Sequence, residues 1–80
     1  TNMNETHFDI ELNCRGLSCP LPIVKTKMAI SKLREGQVLK IISTDPGTRA
    51  DMAAWSSRTG HEIIMSENNN GEYIFYLKHK

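Results

Sequence analysis

The chain has 80 residues, and its ten Lys and Arg against nine Asp and Glu leave a formal net charge of +1. This length predicts one small domain, and the balanced charge gives no overall attraction to nucleic acid or to a membrane surface. Two cysteines are too few for a disulfide scaffold. The sequence shows no signal-peptide pattern and no apolar run near the roughly 20 residues that cross a bilayer. We therefore expect a cytoplasmic protein without a membrane partner.

The first strand is predicted after a polar N-terminal segment. Residues 1–7 are expected to be flexible, and residues 8–80 to form the single domain. Apolar and polar side chains alternate from Phe8 to Leu12, which is typical of a half-buried strand. If the strand continues, the same alternation turns Cys14 toward the interior.

A cysteine stands between a tight turn and a helix start in the run Arg15-Gly16-Leu17-Ser18-Cys19-Pro20-Leu21-Pro22. Proline suits the first helical turn, where its missing N–H has no intrahelical partner. The residue before a proline is displaced from the α region, as an N-cap residue is. Cys19 is therefore predicted at a helix N-terminus, with Leu21 as the nearest backbone donor and the positive end of the helix dipole close by. Because Pro22 disfavours the α region for Leu21, the regular helix has Pro22 as an alternative start.

This position predicts moderate activation of the Cys19 thiol. A helix terminus stabilises a charge by about 0.3–1 kcal/mol, which lowers a thiol pKa from about 8.5 by roughly one unit or less. Such a thiol suits exchange reactions, since the best attacking thiol has a pKa near ambient pH. The alternative is that Cys19 is a small buried hydrophobic residue beside a proline turn.

The middle of the chain predicts two helices around a buried strand. Residues 20–34 lack glycine and carry apolar side chains near helical spacing, with Gly36 as the C-cap. Residues 38–42 form a nearly continuous apolar run, typical of an interior strand. Asp45-Pro46 predicts an N-cap and a first helical turn, and this second helix ends at Gly60.

Two further strands, residues 63–65 and 73–77, are joined by an Asn-Gly pair that indicates a hairpin. The element order is then β-α-β-α-β-β. Right-handed crossovers make the first strands parallel and place both helices on one face. The predicted fold is α/β (α+β), a two-layer sandwich with two helices on a four-stranded mixed sheet.

These features together resemble the TusA/SirA family of small sulfur-carrier proteins, over about residues 8–77. The most specific element is the family's Cys-Pro-x-Pro motif, which is Cys19-Pro20-Leu21-Pro22 in this chain. A second block is similar to the family's later segment and comprises Asp45-Pro46, Asp51, Trp55 and Gly60-His61. The chain departs from the family at Asn13, where Asp is frequent, and Cys14 falls at a variable position.

The resemblance implies that Cys19 accepts sulfane sulfur as a persulfide and hands it to another protein, so that the covalent persulfide sulfur takes the place of a cofactor. A cysteine desulfurase or a rhodanese-like protein is the implied donor, and a DsrE-like or other relay protein is the implied acceptor. Implied pathways include tRNA thiolation, sulfur oxidation, molybdenum cofactor synthesis and selenium metabolism. Both steps are sulfur-to-sulfur displacements that need no metal. A sulfurtransferase-like carrier, not a stand-alone turnover enzyme, is therefore expected.

Cys14 leaves two other functions open. As an accessible thiol it could resolve an oxidised Cys19, which would make the protein a thiol–disulfide or peroxide-reducing protein. As a buried side chain it is inert, and this interpretation is favoured. A third hypothesis is a regulatory interaction module with an incidental thiol. The spacing of the two cysteines does not match a zinc site, and no metal is expected.

Basic residues surround the first helix at Arg15, Lys25, Lys27, Lys32 and Arg34. They form either a solvated helix face or a docking surface for acidic patches on donor and acceptor proteins. Arg15 is the first choice for stabilising a Cys19 thiolate because it is the nearest of them in sequence. Aromatic residues are not interleaved with these cations, so direct nucleic-acid binding is not expected. Trp55 is predicted in the core, and His61 in local packing or hydrogen bonding.

Overall fold

A computed structural model describes residues 7–80 and contains six elements in the predicted order. They are β1 (Ile10–Cys14), α1 (Leu21–Ile30), β2 (Val38–Ser43), α2 (Thr48–Thr59), β3 (Glu62–Asn69) and β4 (Glu72–Lys78). The predicted flexible segment, apart from the exposed His7, lies outside the described residues. Within residues 7–80, neither helix combines the length and the apolar character needed to cross a membrane.

The sheet is mixed, as predicted. Its strands follow the order β1-β2-β4-β3, with β1 parallel to β2 and β4 antiparallel to both of its neighbours. Strand β2 therefore lies inside the sheet, and five of its six residues are buried. This confirms the interior strand predicted from the apolar run, since a strand covered on both faces needs no polar alternation.

Both helices cover one face of this sheet. Leu39 and Ile41 alternate along β2, as Phe75 and Leu77 do along β4, so these four side chains point to the same face. They form one hydrophobic core with residues contributed from the two helices and the loop after α1, namely Ile30, Leu33, Met52 and Trp55. The predicted two-layer arrangement is confirmed.

The hairpin between β3 and β4 has the two-residue loop expected from its sequence. Asn70 and Gly71 have φ angles of 51° and 84°, the left-handed conformations that a type I′ turn requires at both central positions. Asparagine tolerates this region better than most residues, and glycine adopts it without a steric penalty.

The first helix ends earlier than predicted. Helix α1 ends at Ile30 and not near residue 34, because Ser31 donates its hydroxyl to the Met28 carbonyl (2.7 Å) and competes with the backbone. The following residues form tighter turns, such as the bond from the Leu33 N–H to the Ile30 carbonyl (3.0 Å). Gly36 therefore lies in a later turn and is not the C-cap.

The first strand begins at Ile10, later than Phe8. The Phe8 ring lies 6.3 Å from the Tyr76 ring, and Tyr76 points to the sheet face opposite its core-facing neighbours Phe75 and Leu77. Phe8 therefore covers the face away from the helices, so the alternation of the strand does not extend back to it. The prediction for the other end holds, since Cys14 closes β1 with its side chain in the core.

Candidate functional site

Cys19 lies at the mouth of a groove between the two helices. Its side chain is exposed and its thiol is free. The groove has a volume of about 220 Å³ and is lined by Cys19, Pro20, Ile23 and Lys27 on one side and by Asp51, Ala54, Trp55 and Arg58 on the other. The exposure excludes the interpretation of Cys19 as a small buried hydrophobic residue.

The turn before Cys19 and the proline-initiated helix form as expected, but the helix begins one residue later than an N-cap at Cys19 would give. Gly16 has a φ of 79° in the turn, and Pro20 is the N-cap of α1 with a cis peptide bond joining it to Cys19. The Leu21 N–H, expected to face the thiol, donates to the Ser18 carbonyl (2.9 Å). The N-cap prediction for Cys19 is therefore wrong by one residue. The Leu21 N–H, which was expected to stabilise the sulfur, is bonded to Ser18 instead.

Asp45 holds the backbone of Cys19 in place. Its Oδ2 accepts the Cys19 N–H at 2.5 Å, and its Oδ1 accepts the Gly47 N–H at 3.1 Å. Helix α2 begins at Thr48 with Gly47 as N-cap and no side-chain capping bond. The predicted N-cap role of Asp45 is therefore wrong, because its two carboxylate oxygens bind the N–H groups of Gly47 and Cys19 and neither binds an N–H within α2.

The Cys19 thiol faces a carboxylate. Its Sγ–H donates to Oδ2 of Asp51 on α2, and this bond, partial burial and the negative charges of Asp51 and Asp45 raise the pKa of Cys19. Each of these favours the protonated thiol over the thiolate. The predicted lowering of the pKa is wrong, because the charged groups near the sulfur are carboxylates and the helix amides are directed elsewhere.

Arg15 does not support the thiol. Its guanidinium contacts Glu72 on β4, with Nε–Oε2 and Nη2–Oε1 distances of 2.5 and 3.3 Å. This hydrogen-bonded ion pair raises the pKa of Arg15 and lowers the pKa of Glu72. Proximity in sequence was a misleading guide, since Arg15 follows β1 and pairs across the sheet.

Cys14 is fully buried, with 0% of its surface exposed, and belongs to the core. Burial raises the pKa of its thiol, because a thiolate is poorly solvated there. Both cysteines are free. The predicted inward position of Cys14 is confirmed, and this burial denies it the access that a resolving thiol needs. That Cys14 is inert stays a prediction.

The predicted basic residues separate into different surfaces. All four of Lys25, Lys27, Lys32 and Arg34 are exposed, but within this set Lys27 alone lines the Cys19 groove. Lys25 and Lys32 line a second depression of about 180 Å³ beside Met28. Arg34 follows the end of α1 and lines neither.

Two groove residues were not assigned a role from the sequence. Asp51 and Arg58 lie seven residues apart on α2, with Ala54 and Trp55 between them at helical spacing, so all four share one face. Asp51 was already part of the second family-like block, and its position one turn before Trp55 was the available signal. Arg58 carried no signal beyond that spacing.

Trp55 and His61 occupy the predicted structural positions. Trp55 is 6% exposed within the core and also lines the groove. The His61 ring lies 5.3 Å from the Trp55 ring, and His61 Nδ1 accepts the Lys80 N–H at 3.2 Å. Their contacts confirm core packing for Trp55 and local packing and hydrogen bonding for His61. Within residues 7–80, no group of three or more His, Cys, Asp or Glu side chains is placed to hold a metal ion.

Comparison with known proteins identifies the family. The family model described as Sulfurtransferase TusA matches residues 10–79 of this chain. The chain belongs to the TusA family. Sulfur carrier protein TusA of Allochromatium vinosum is 42% identical over 71 residues, which cover 89% of this chain and 93% of that protein. Sulfur carrier protein TusA of Pseudomonas entomophila is 33% identical over 78 residues and 98% of both chains.

The match also extends to longer proteins and to a solved structure. A candidate sulfur carrier protein of Aquifex aeolicus is 43% identical over 76 residues, which are 95% of this chain but 39% of that protein's length. The crystal structure of a SirA-like protein from Desulfitobacterium hafniense superposes with a TM-score of 0.77 at 21% identity, covering 88% of this chain and 96% of the other. This neighbour confirms the TusA/SirA fold.

Proposed function

We propose that this protein is a sulfur carrier that accepts sulfane sulfur as a persulfide on Cys19 and passes it to an acceptor protein. The observation that carries the proposal is the exposed Cys19 thiol in a groove, bonded to a carboxylate that is placed to take its proton. Membership of the TusA family and the sulfur-carrier names of close relatives support the same function.

Loading transfers one sulfur atom without net oxidation. Cys19 Sγ releases its proton to Asp51 and attacks the outer sulfur of the donor persulfide. A bond forms between Sγ and that sulfur while the donor's S–S bond breaks, and the donor's inner sulfur leaves with the electron pair and takes up a proton. Delivery repeats the displacement, with an acceptor thiolate attacking the outer sulfur on Cys19.

The raised pKa of Cys19 works against both steps. It lowers the thiolate fraction before loading, and a thiolate of high pKa is also a slow leaving group in delivery. The Asp51 carboxylate assists both steps, since it accepts the proton when Cys19 attacks and relays a proton to Cys19 when Cys19 leaves. We assign Asp51 the role of proton partner for this reason.

TusA-family carriers act between sulfur donors and sulfur acceptors. For this protein we propose a cysteine desulfurase or rhodanese-like donor and a DsrE-like or other relay acceptor, in the cytoplasm, with tRNA thiolation among the pathways served. Helix α1 offers these partners a surface next to Cys19. It exposes Leu21, Val24 and Met28 at 45%, 45% and 64%. Lys25, Lys27 and Lys32 surround these apolar side chains and favour partners with an acidic rim.

The direct test incubates the protein with a cysteine desulfurase and cysteine and measures its intact mass. The wild-type chain is expected to gain one sulfur atom, and the Cys19→Ser variant none. The Cys14→Ala variant is the matched control and should load like the wild type. Sulfur loading of Cys19→Ser, or no loading of the wild type, would show that Cys19 is not the carrier.

A further inference from the structure

The groove at Cys19 has opposite charge at its two ends. Asp51 bonds the thiol, while Lys27 from α1 and Arg58 from α2 line the groove from opposite sides. Neither cation forms an ion pair within residues 7–80. Arg58 lies two helical turns after Asp51 on α2, and Lys27 lies in the last turn of α1, so both cations line the groove away from the thiol.

The groove is also small and partly apolar. Its volume of about 220 Å³ is below the roughly 300–1,000 Å³ of pockets for drug-sized ligands, which suits an amino-acid thiol or the end of a short peptide thiol. Pro20, Ile23, Ala54 and Trp55 supply apolar walls between the charged ends. The exposed side chains of Leu21, Val24 and Met28, which we assign to protein partners, lie outside this lining.

We propose that the groove binds a low-molecular-weight persulfide that carries a carboxylate, with its outer sulfur at Cys19 and its carboxylate at Lys27 and Arg58. The proposal rests on the sulfur-carrier function and names a substrate that loads the carrier without a donor protein. Arginine and lysine both pair with carboxylates, and arginine can do so through two parallel hydrogen bonds.

The chemistry is the displacement already described, with a small donor. Cys19 Sγ bonds to the outer sulfur of the persulfide, and the S–S bond of the donor breaks. The small thiol leaves with the electron pair and takes the proton that Asp51 received from Cys19. One persulfide and one thiol are consumed, and one persulfide and one thiol are formed.

The test compares glutathione persulfide with the persulfide of glutathione diethyl ester, in which both carboxylates are neutralised. Loading of Cys19 is followed by quenched intact-mass measurement at low ionic strength. The wild type should load faster from glutathione persulfide than from the ester. Lys27→Gln and Arg58→Gln should each slow loading from glutathione persulfide by about two- to fivefold, the range expected of an exposed ion pair. Both should load from the ester at the wild-type rate.

Arg49→Gln is the matched control, because Arg49 is an exposed cation on the same helix as Arg58 and lies outside the groove. It should load normally from both donors. Equal wild-type rates with the two donors, or equal slowing by Arg49→Gln, would overturn the groove site. A parallel reaction with a desulfurase separates the two proposals. If the desulfurase loads Cys19 but the two small donors load it at equal rates, the groove site is wrong and the carrier function stands. If no donor loads Cys19, both proposals are wrong.

Discussion

Cys14 and Cys19 are five residues apart in the sequence but occupy opposite environments. Cys14 is the last residue of β1 and its side chain is buried in the core, whereas Cys19 lies on the surface just before α1. The turn at Gly16 and the hydrogen bond that the Cys19 N–H donates to Asp45 separate them. Thiol chemistry is thus decided by access and by the nearest charged groups, which differ completely over one turn of chain.

The pKa values of both thiols are raised, but for different reasons. Burial is the main cause for Cys14, while a hydrogen bond to Asp51 is the main cause for Cys19. Burial removes reactivity, since no reagent reaches the sulfur. A carboxylate partner leaves the sulfur accessible and supplies a proton acceptor. A high thiol pKa is therefore compatible with function only at Cys19.

The largest expected difference between the cysteines is their rate of alkylation. Cys19 should react with iodoacetamide in the native protein, whereas Cys14 should react only when the fold opens. Opening of a stable domain costs at least about 5 kcal/mol, which predicts a rate ratio of about a thousandfold or more. Mass spectrometry of the two alkylated peptides measures the ratio. Comparable rates would show that Cys14 is accessible and would restore the resolving-thiol hypothesis.

A second prediction concerns the carboxylate that distinguishes Cys19. The thiolate is the reactive form, so a raised pKa means that alkylation of Cys19 is lost as the pH falls below that raised value. Replacing Asp51 by Asn removes a negative charge that opposes the thiolate, and the pH profile should move to lower pH. Glu67→Gln, at an exposed position on β3, is the control and should leave the profile unchanged. An unaltered profile in Asp51→Asn would contradict the proton-partner role.

Cys14, the less reactive of the two cysteines, should contribute more to the free energy of unfolding than Cys19. Cys14→Ser places a hydroxyl in the core, and an unpaired buried hydroxyl costs about 1–3 kcal/mol. Cys19→Ser changes an exposed position and should alter the free energy of unfolding by no more than about 0.5 kcal/mol. Urea denaturation of both variants gives the comparison. Equal losses would mean that Cys19 also contributes to the packing of the fold.

A further small effect is expected at Arg15, which lies between the two cysteines in the sequence. Because its guanidinium pairs with Glu72 at the surface, Arg15→Gln should lower the free energy of unfolding by no more than about 1 kcal/mol. The pH profile of Cys19 alkylation should stay the same. A shift of that profile to higher pH would show that Arg15 stabilises the thiolate after all.

Local sequence signals predicted the fold well where the deciding interactions are themselves local or repeat along an element. Asn70-Gly71 specifies its turn through two backbone conformations, and the apolar run of β2 indicates burial on both faces. The inward position of Cys14 follows from alternation along β1. These features depend on near neighbours or on the two-residue period of a strand.

The site was less predictable because its key contacts join distant parts of the chain. The sequence around Asp45 predicts an N-cap, but one of its carboxylate oxygens accepts the N–H of Cys19, which is 26 positions away. The partner of the Cys19 thiol, Asp51, is 32 positions away. The two contacts arise only when the loop after β2 and the first turn of α2 pack beside the segment that precedes α1. Which cysteine is exposed was therefore predictable, whereas the direction of its pKa shift was not.

The position of the sulfur atom on the loaded protein tests the account most directly. Arg15 lies between the two cysteines, so trypsin cleavage after Arg15 places Cys14 and Cys19 in different peptides. After loading by a cysteine desulfurase and alkylation of the persulfide, peptide mass spectrometry locates the added sulfur. We predict it on the peptide that begins at Gly16 and contains Cys19. Added sulfur on the Cys14 peptide, or on neither peptide, would contradict the assignment of Cys19 as the transfer point.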